Sequence, residues 1–455
     1  MTAETENMRA QAQIKMPSYD VAVMGRGNSA ALAALALADS GFSVWAEAAQ
    51  AAPDTPTEGR RAATWQRVLA LSPGARRALE ALGVWQRLEA GHAPVADIAV
   101  GGPHDRDLPL RFAASPKPSV DVEAADGQPV DILSHIVSLS DLTAAIGRAL
   151  HACTALTEQT QALETTSAPC DFDPRTGIVT FADGGQMRTA LLVDAGGAHS
   201  KWRQRAGISC LQHDYKSAAL TAEVALGAPH GHVARQVFLP DGPLALLPLP
   251  KPDRAALVWS LPARKAQALA ACEENLFNGE LNAAAREPFG EMRLLGARAH
   301  QPLKAQIAEA FIGPRLALVG EAAHVIHPLA GQGMNLTLRD IGALVDTLKD
   351  ARRLGIECGD ATMLENYAGL RRADALAGAF STHALAEMFS GPAPARSLAA
   401  AGMRGVGLIA NIYPKLKDAF RRHADQGLGA LSGLFGASPL DDMPPPNAPD
   451  SKRER

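Results

Sequence analysis

Residues 316–340 read LALVGEAAHVIHPLAGQGMNLTLRD, and their reading decides the fold. Leu316 to Val319 is a short apolar run of the kind that forms a strand buried on both faces. Gly320 ends it, and Glu321 follows where a carboxylate can accept a hydrogen bond from a sugar hydroxyl. Pro328 then fixes the backbone locally. Gly331, Gln332 and Gly333 let the chain pass close to a flat ring system. Met334 and Asn335 open a helix that continues through 341–350, and its N-terminal N–H groups favour negative charge nearby. A strand, a turn and a helix N-terminus in this order hold a large anionic cofactor against backbone amides.

A second stretch of the same type lies near the other end of the chain. Val21 to Met24 is an apolar run, and Gly25-Arg26-Gly27-Asn28-Ser29-Ala30 follows it. Ala30 to Ala38 is rich in alanine and leucine, which favours helix. Gly41 breaks that helix, and Phe42 to Ala46 reads as the next strand. The unit is βαβ, with glycines where strand turns into helix. Gly25 permits the tight turn, Gly27 admits a pyrophosphate to the backbone, and Ala30 permits close packing of helix on strand. Arg26 and Asn28 add polar groups beside the turn. Glu47, 17 residues after Ala30, ends the second strand and is placed to accept hydrogen bonds from a ribose. Two such sites, separated by most of the chain, imply one extended dinucleotide held by both.

The segment between them is of a different kind. Residues 101–131 and 206–309 are richer in alternating or apolar β-type runs. Val237 to Leu249 reads as two strands joined at Asp241-Gly242, and Ala255 to Leu261 as another. Arg67 precedes a helix that begins after Ser72 with Pro73 near its start, so it falls in a loop or first turn, with a cofactor contact as one reading and a surface salt bridge as the other. Beyond 341 the pattern is helical, with a long stretch over 361–390. The expected organisation is a nucleotide-binding domain over 18–100, 132–205 and 310–345. A sheet domain over 101–131 and 206–309 is inserted in it, and a helical region over 346–435 follows. Residues 1–17 and 436–455 are polar or proline-rich and read as disordered tails.

Composition narrows the function. The formal charge is −4 with acids and bases nearly balanced, so no basic face marks a nucleic-acid partner. The five cysteines form no close pair, which points to a reducing, cytoplasmic setting and away from zinc or iron–sulfur ligation. His324 and His327 stand three apart without a third ligand beside them, so no metal is expected; they pack around the turn. No window is apolar enough to span a bilayer. Gly427 to Leu440, GLGALSGLFGASPL, is an apolar segment read as a loose helix against the main body, with a lipid or protein surface as the other reading. Ser200 lacks the spaced partners of a nucleophilic triad. His230 and His232 lie near the sheet segment, where either could meet a phenol; the expectation is that they face solvent.

These motifs together resemble the FAD-dependent aromatic-ring hydroxylases of ubiquinone biosynthesis, within the flavoprotein monooxygenases related to p-hydroxybenzoate hydroxylase. The resemblance covers roughly residues 18 to 430. It is strongest over Gly320 to Asp340, including His324, Pro328, Gly331, Gln332, Gly333, Asn335 and Asp340. Phe238 to Leu249 with Trp259 resembles the family's middle sheet, Arg67 falls on its FAD-contacting arginine, and Gly405 to Lys417 resembles the terminal segment of the ubiquinone branch. It implies an α/β fold with a Rossmann-like FAD-binding domain, an inserted, mostly antiparallel substrate sheet and C-terminal helices. It implies FAD as cofactor and NAD(P)H as reductant, and transfer of an oxygen atom from O2 to the ring of a prenylated phenol or quinone precursor. Other ubiquinone-biosynthesis proteins and the inner face of the membrane are the implied further partners.

The chain also departs from that family. Asp194-Ala195-Gly196-Gly197 stands where Gly-Ala-Asp-Gly is usual, with Ser200 and Arg203 retained. Gly196 thus replaces the aspartate, and Asp194 is two positions away from it. Glu321 replaces an aspartate, and Ser138-Leu139-Ser140 replaces a segment of glutamate, asparagine and arginine. These departures motivate a rival reading, a non-catalytic or FAD-poor homologue that supports a quinone-biosynthesis complex. A third reading is a dehydrogenase or halogenase on the same fold.

Overall fold

A computed structural model of the chain describes residues 16–50, 67–102, 110–113, 132–161, 167–286, 289–326 and 331–390. Pro328, His327, the 405–417 and 427–440 segments and most of the two expected tails lie outside the described residues.

Four parallel strands form the centre of the nucleotide-binding unit. They are β1 (Ser18–Met24), β2 (Val44–Ala46), β3 (Gln186–Asp194) and β4 (Leu316–Leu318), in the spatial order β4-β3-β1-β2. Their sequences carry little alternation because both faces are covered. Helix α1 (Asn28–Asp39) lies on one face. Its alanines and leucines from Ala30 to Leu37 are all buried, since small side chains let the helix approach the sheet closely. The helix α2 (Gly333–Arg353) packs beside it through Leu338, Ile341, Leu344, Val345 and Leu348. A long helix, α3 (Ala361–Ser390), packs on α2.

The outer edge of β2 is covered by the helix Thr154–Gln161. Val44 N–H donates to Gln159 Oε1 at 2.8 Å and Ala46 N–H to Thr160 Oγ1 at 3.4 Å.

An eight-stranded sheet stands next to this unit. Its order is His324–Val325, Arg293–Ala308, Cys210–Ala225, Arg254–Pro262, Gly242–Pro248, Val233–Leu239, Asp97–Gly101 and Leu110–Ala113. All pairings are antiparallel except that of Val233–Leu239 with Asp97–Gly101. The hairpin expected at Asp241-Gly242 forms between Val233–Leu239 and Gly242–Pro248. One face is closed by the helices Ala263–Ala271 and Glu274–Ala285, which bury Phe277 and Leu281 against Leu220, Leu244, Leu257 and Trp259. Each such side chain contributes about 1.5–3 kcal/mol by leaving water. From the opposite face Ala234, Ile98, Leu247 and Leu249 meet Ala93, Val95 and Ile136. Those three belong to a small sheet of Val68–Leu71, Ser134–Ser138 and His92–Val95. This small sheet joins the large one to the nucleotide-binding unit.

Ser72 caps the helix Pro73–Ala81 by accepting from Ala75 N–H, as the proline signal requires. Before it the chain is extended. Arg67 stands in a loop, and Val68–Leu71 after it is a strand whose pairing partner, Ser134–Ser138, is remote in sequence. One expectation is corrected. His230 does not face solvent but is buried. Its Nε2 lies 3.0 Å from Leu249 O and 3.2 Å from Lys251 O, so Nε2 carries the proton and Nδ1 accepts from His232 N–H at 3.1 Å. Burial, outweighing those bonds, lowers its pKa below 6.5. Its role is to staple the turn after Leu249, and His232, half-buried, lies 3.2 Å from Pro94 O.

Candidate active site

Three of the parallel strands end level and β2 one residue short: Met24 is in register with Asp194, Asp194 with Leu318, and Val23 with Ala46. The loops that follow therefore meet at one edge, the carboxyl edge where ligands bind to sheets of this type. Gly25 lies at φ +114°, and a Cβ there would stand 2.6 Å from Ala195 O. Gly320 lies at φ +63°, and its Cβ would meet Thr337 Oγ1 at 3.0 Å and Ser29 Oγ at 3.1 Å. Glu321 is exposed, with Oε2 4.0 Å from the Cβ position of Gly197. The two glycine-rich turns, distant in sequence, thus share one groove with the Ala195–Ser200 loop.

Each loop is fixed by a carboxylate behind it. Glu47 accepts from Gly25 N–H at 2.8 Å and from Arg26 Nε at 3.0 Å, so it clamps the first turn as well as standing at the end of β2. Asp194 is fully buried and accepts from Gly196 N–H at 2.9 Å, from Arg203 N–H at 3.1 Å and from the Ser200 hydroxyl. Burial pushes its carboxyl above the usual range, against the pull of those bonds. The carboxylate displaced by two positions reaches forward to organise the very loop in which Gly196 stands. Arg203 then ties that loop to the next, donating to Ala198 O and Ala322 O, each at 2.8 Å. Asp340 accepts from Gly320 N–H at 2.9 Å and from His324 Nε2 at 2.7 Å.

Two helices point their N-termini at the groove. Gly27 caps α1 and Gln332 caps α2, and neither cap supplies a side-chain bond to the first N–H groups. Among the described residues, a Cβ placed on Gly27 or on Gly333 would meet nothing within 4 Å. The open space lies at a helix dipole's positive end. These donors suit an anionic dinucleotide.

The remaining expected site residues divide. Ala30 is buried on the inner face of α1, and Asn28 Nδ2 donates to Thr143 Oγ1 at 2.9 Å. Gly331 and Gln332 lead into α2, with the Cβ position of Gly331 2.9 Å from Ala70 Cβ. Met334 packs half-buried on the main core. The Asn335 side chain turns inward: Oδ1 accepts from Ser72 N–H and Nδ2 donates to Ala70 O, both at 3.0 Å. It pins the Val68–Leu71 strand to the helix start. Arg67 is exposed just before that strand, its carbonyl accepting from Leu139 N–H at 2.7 Å. Ser138 caps the helix Leu139–Ala152. Sequence reading gave no site role to Tyr367 and Arg371, although a charged residue at a core-facing position of a helix is a readable signal.

The fold and the groove define a flavin-type dinucleotide-binding oxidoreductase. The chain belongs to the FAD binding domain family, whose model matches residues 18–376. It is 34% identical over 411 residues to the ubiquinone hydroxylase UbiL of Rhodospirillum rubrum, covering 89% of each chain. It is 32% identical to the 3-demethoxyubiquinol 3-hydroxylase of Escherichia coli, over 78% of this chain and 86% of that one. Among solved structures, the Pseudomonas putida p-nitrophenol 4-monooxygenase PnpA shares the fold, with a TM-score of 0.65 at 16% identity over 90% of this chain and 99% of that one. The chain is an FAD-dependent monooxygenase. No helix among the described residues is long and apolar enough to cross a membrane.

Proposed function

We propose that this chain hydroxylates the aromatic ring of a prenylated ubiquinone precursor, using FAD, NAD(P)H and O2. The observation that carries the proposal is the shared groove of Gly25, Gly197 and Gly320, with two uncapped helix N-termini opening on it and the large sheet beside it. The activities of the relatives supply the substrate class. When bound, the flavin supplies the redox and oxygen chemistry.

The chain's own residues bind, orient and exclude water. Gly25, Gly27, Asn28 and the first N–H groups of α1 hold the pyrophosphate, with Glu47 on the adenosine ribose. Gly320, Glu321 and Gly331 to Gly333 line the ring end, where the α2 N-terminus favours negative charge on the pyrimidine side. Arg67 completes this set. The path of the chain supports the assignment. The Gly320–Ala322 turn leaves the parallel sheet, and two residues later the chain pairs in the large sheet as His324–Val325, so a ring held at this turn would lie where the two meet. The large sheet's apolar residues suit a prenylated ring, and its tail implies peripheral access from a membrane or from another protein of the pathway.

Purified protein should be yellow, consume O2 when given NADH or NADPH with a prenylphenol, and release a product heavier by one oxygen atom. Colourless protein that fails to take up added FAD sinks this proposal. Yellow protein without substrate-dependent turnover favours the non-catalytic homologue, which the changes at Gly196, Glu321 and Ser138–Ser140 motivate. Accumulation of an unhydroxylated ubiquinone intermediate in cells lacking the gene tests the same point in vivo.

A further inference from the structure

Helix α3 buries one face through Leu364, Tyr367, Arg371, Asp374 and Ala375, which recur at helical spacing. An apolar face would suffice to dock it. Instead three of these positions are polar, and burying ions costs several kcal/mol each unless they are closely paired. Their partners lie on the segment that enters the groove. Tyr367 Oη donates to Leu318 O at 2.6 Å, the last residue of β4. One turn on, Arg371 Nε donates to Asp340 Oδ1 at 2.8 Å. Asp340 uses its other oxygen for Gly320 N–H and His324 Nε2. Asp374 closes the network behind it, 2.8 Å from Arg371 and 3.3 Å from Arg339.

The electrostatics agree with this geometry. Burial opposes ionisation of Asp340, but His324 and Arg371 outweigh it and hold the carboxyl below its usual range. An ionised Asp340 fixes the Gly320 peptide with its N–H turned inward, which sets the left-handed turn and leaves Glu321 facing the groove.

We infer that Tyr367 and Arg371 are positioning residues of the cofactor site, holding the Leu318–Gly320 segment in place from the C-terminal helix. This inference rests on the placement of FAD proposed above. It makes α3 a working part of the flavin site.

The test uses the full-length holoprotein. Four quantities are measured on each variant: FAD affinity by flavin fluorescence, midpoint potential and visible circular dichroism of bound flavin, and urea stability. Tyr367→Phe removes one hydroxyl and should weaken FAD binding by about 3–10-fold. Arg371→Met should weaken it by at least ~10-fold and shift the potential and the dichroism, the range expected for losing a buried polar partner. Arg371→Lys keeps the charge but loses the fork that spans Asp340 and Asp374, so it should recover only part of the affinity lost in Arg371→Met. A lower urea midpoint with unchanged affinity, potential and dichroism in the folded fraction overturns the inference. If Arg371→Met fails to fold, Tyr367→Phe decides by the same readouts. Gly27→Ala separates the two levels. If it keeps FAD, the cofactor placement itself fails; if it loses FAD while the α3 variants do not, only the present inference falls.

Discussion

Replacing Gly25 and Gly27 separately by alanine should damage different things. At Gly25, φ is +114°, outside the range that L-residues adopt, at a cost of about 1–3 kcal/mol. The added Cβ would also stand 2.6 Å from Ala195 O, a backbone atom that cannot swing aside. Relieving that contact moves the loop and strains its 2.8 Å bond to Glu47, adding about 1–3 kcal/mol. Alanine restricts the unfolded chain and returns about 0.4–1 kcal/mol. The net expectation for Gly25→Ala is a loss of roughly 1–5 kcal/mol in urea unfolding of the apoprotein. At Gly27, φ is −88° and the Cβ meets no atom of the described residues within 4 Å, so only the poorer cap matters, about 0.5–1 kcal/mol. Its methyl occupies the space assigned to the pyrophosphate, so FAD affinity should fall at least ~10-fold, equivalent to about 1.4 kcal/mol. Urea unfolding and flavin titration on both variants form the assay. Equal FAD affinity for Gly27→Ala and wild type, or wild-type stability for Gly25→Ala, refutes the reasoning.

Other outcomes follow from the same geometry. Glu47→Gln should lower flavin occupancy and loosen the first turn, because the amide replaces a charged acceptor with a weaker one at Gly25 N–H; flavin content per mole of purified protein measures it. Asn335→Ala strands Ser72 N–H and Ala70 O at about 1–3 kcal/mol each, so the thermal midpoint should drop and flavin release on heating should come earlier. His230 has a folded pKa below its ordinary 6.5, so it stabilises the fold fully above that value and less as pH falls through it. His230→Gln should therefore flatten the stability curve on the acid side of pH 6.5, as read by urea midpoints across that range.

Much of the architecture was legible because it is written locally. The apolar run at Leu316 to Leu318, the glycine turns and the alanine-rich helix each carry their own signal within a few residues. What was illegible depended on partners remote in sequence. Asn335 looked like a ligand contact, yet its amide serves Ser72, 263 positions away. Val68–Leu71 carried no strand assignment because its strand partner begins at Ser134. Asp194 seemed too far from the Gly196 position, but its side chain extends forward to that residue's N–H, which residue spacing alone does not reveal. His230 is buried by the Leu249–Lys251 turn, a contact no hydropathy window contains.

The side chains of Gln159 and Thr160 occupy the two outward amides of β2 much as another strand would. Strand-to-strand recruitment is thereby blocked along that margin. Any assembly this chain forms with a copy of itself or another protein must be built there from side-chain surfaces, leaving the dinucleotide sheet unextended.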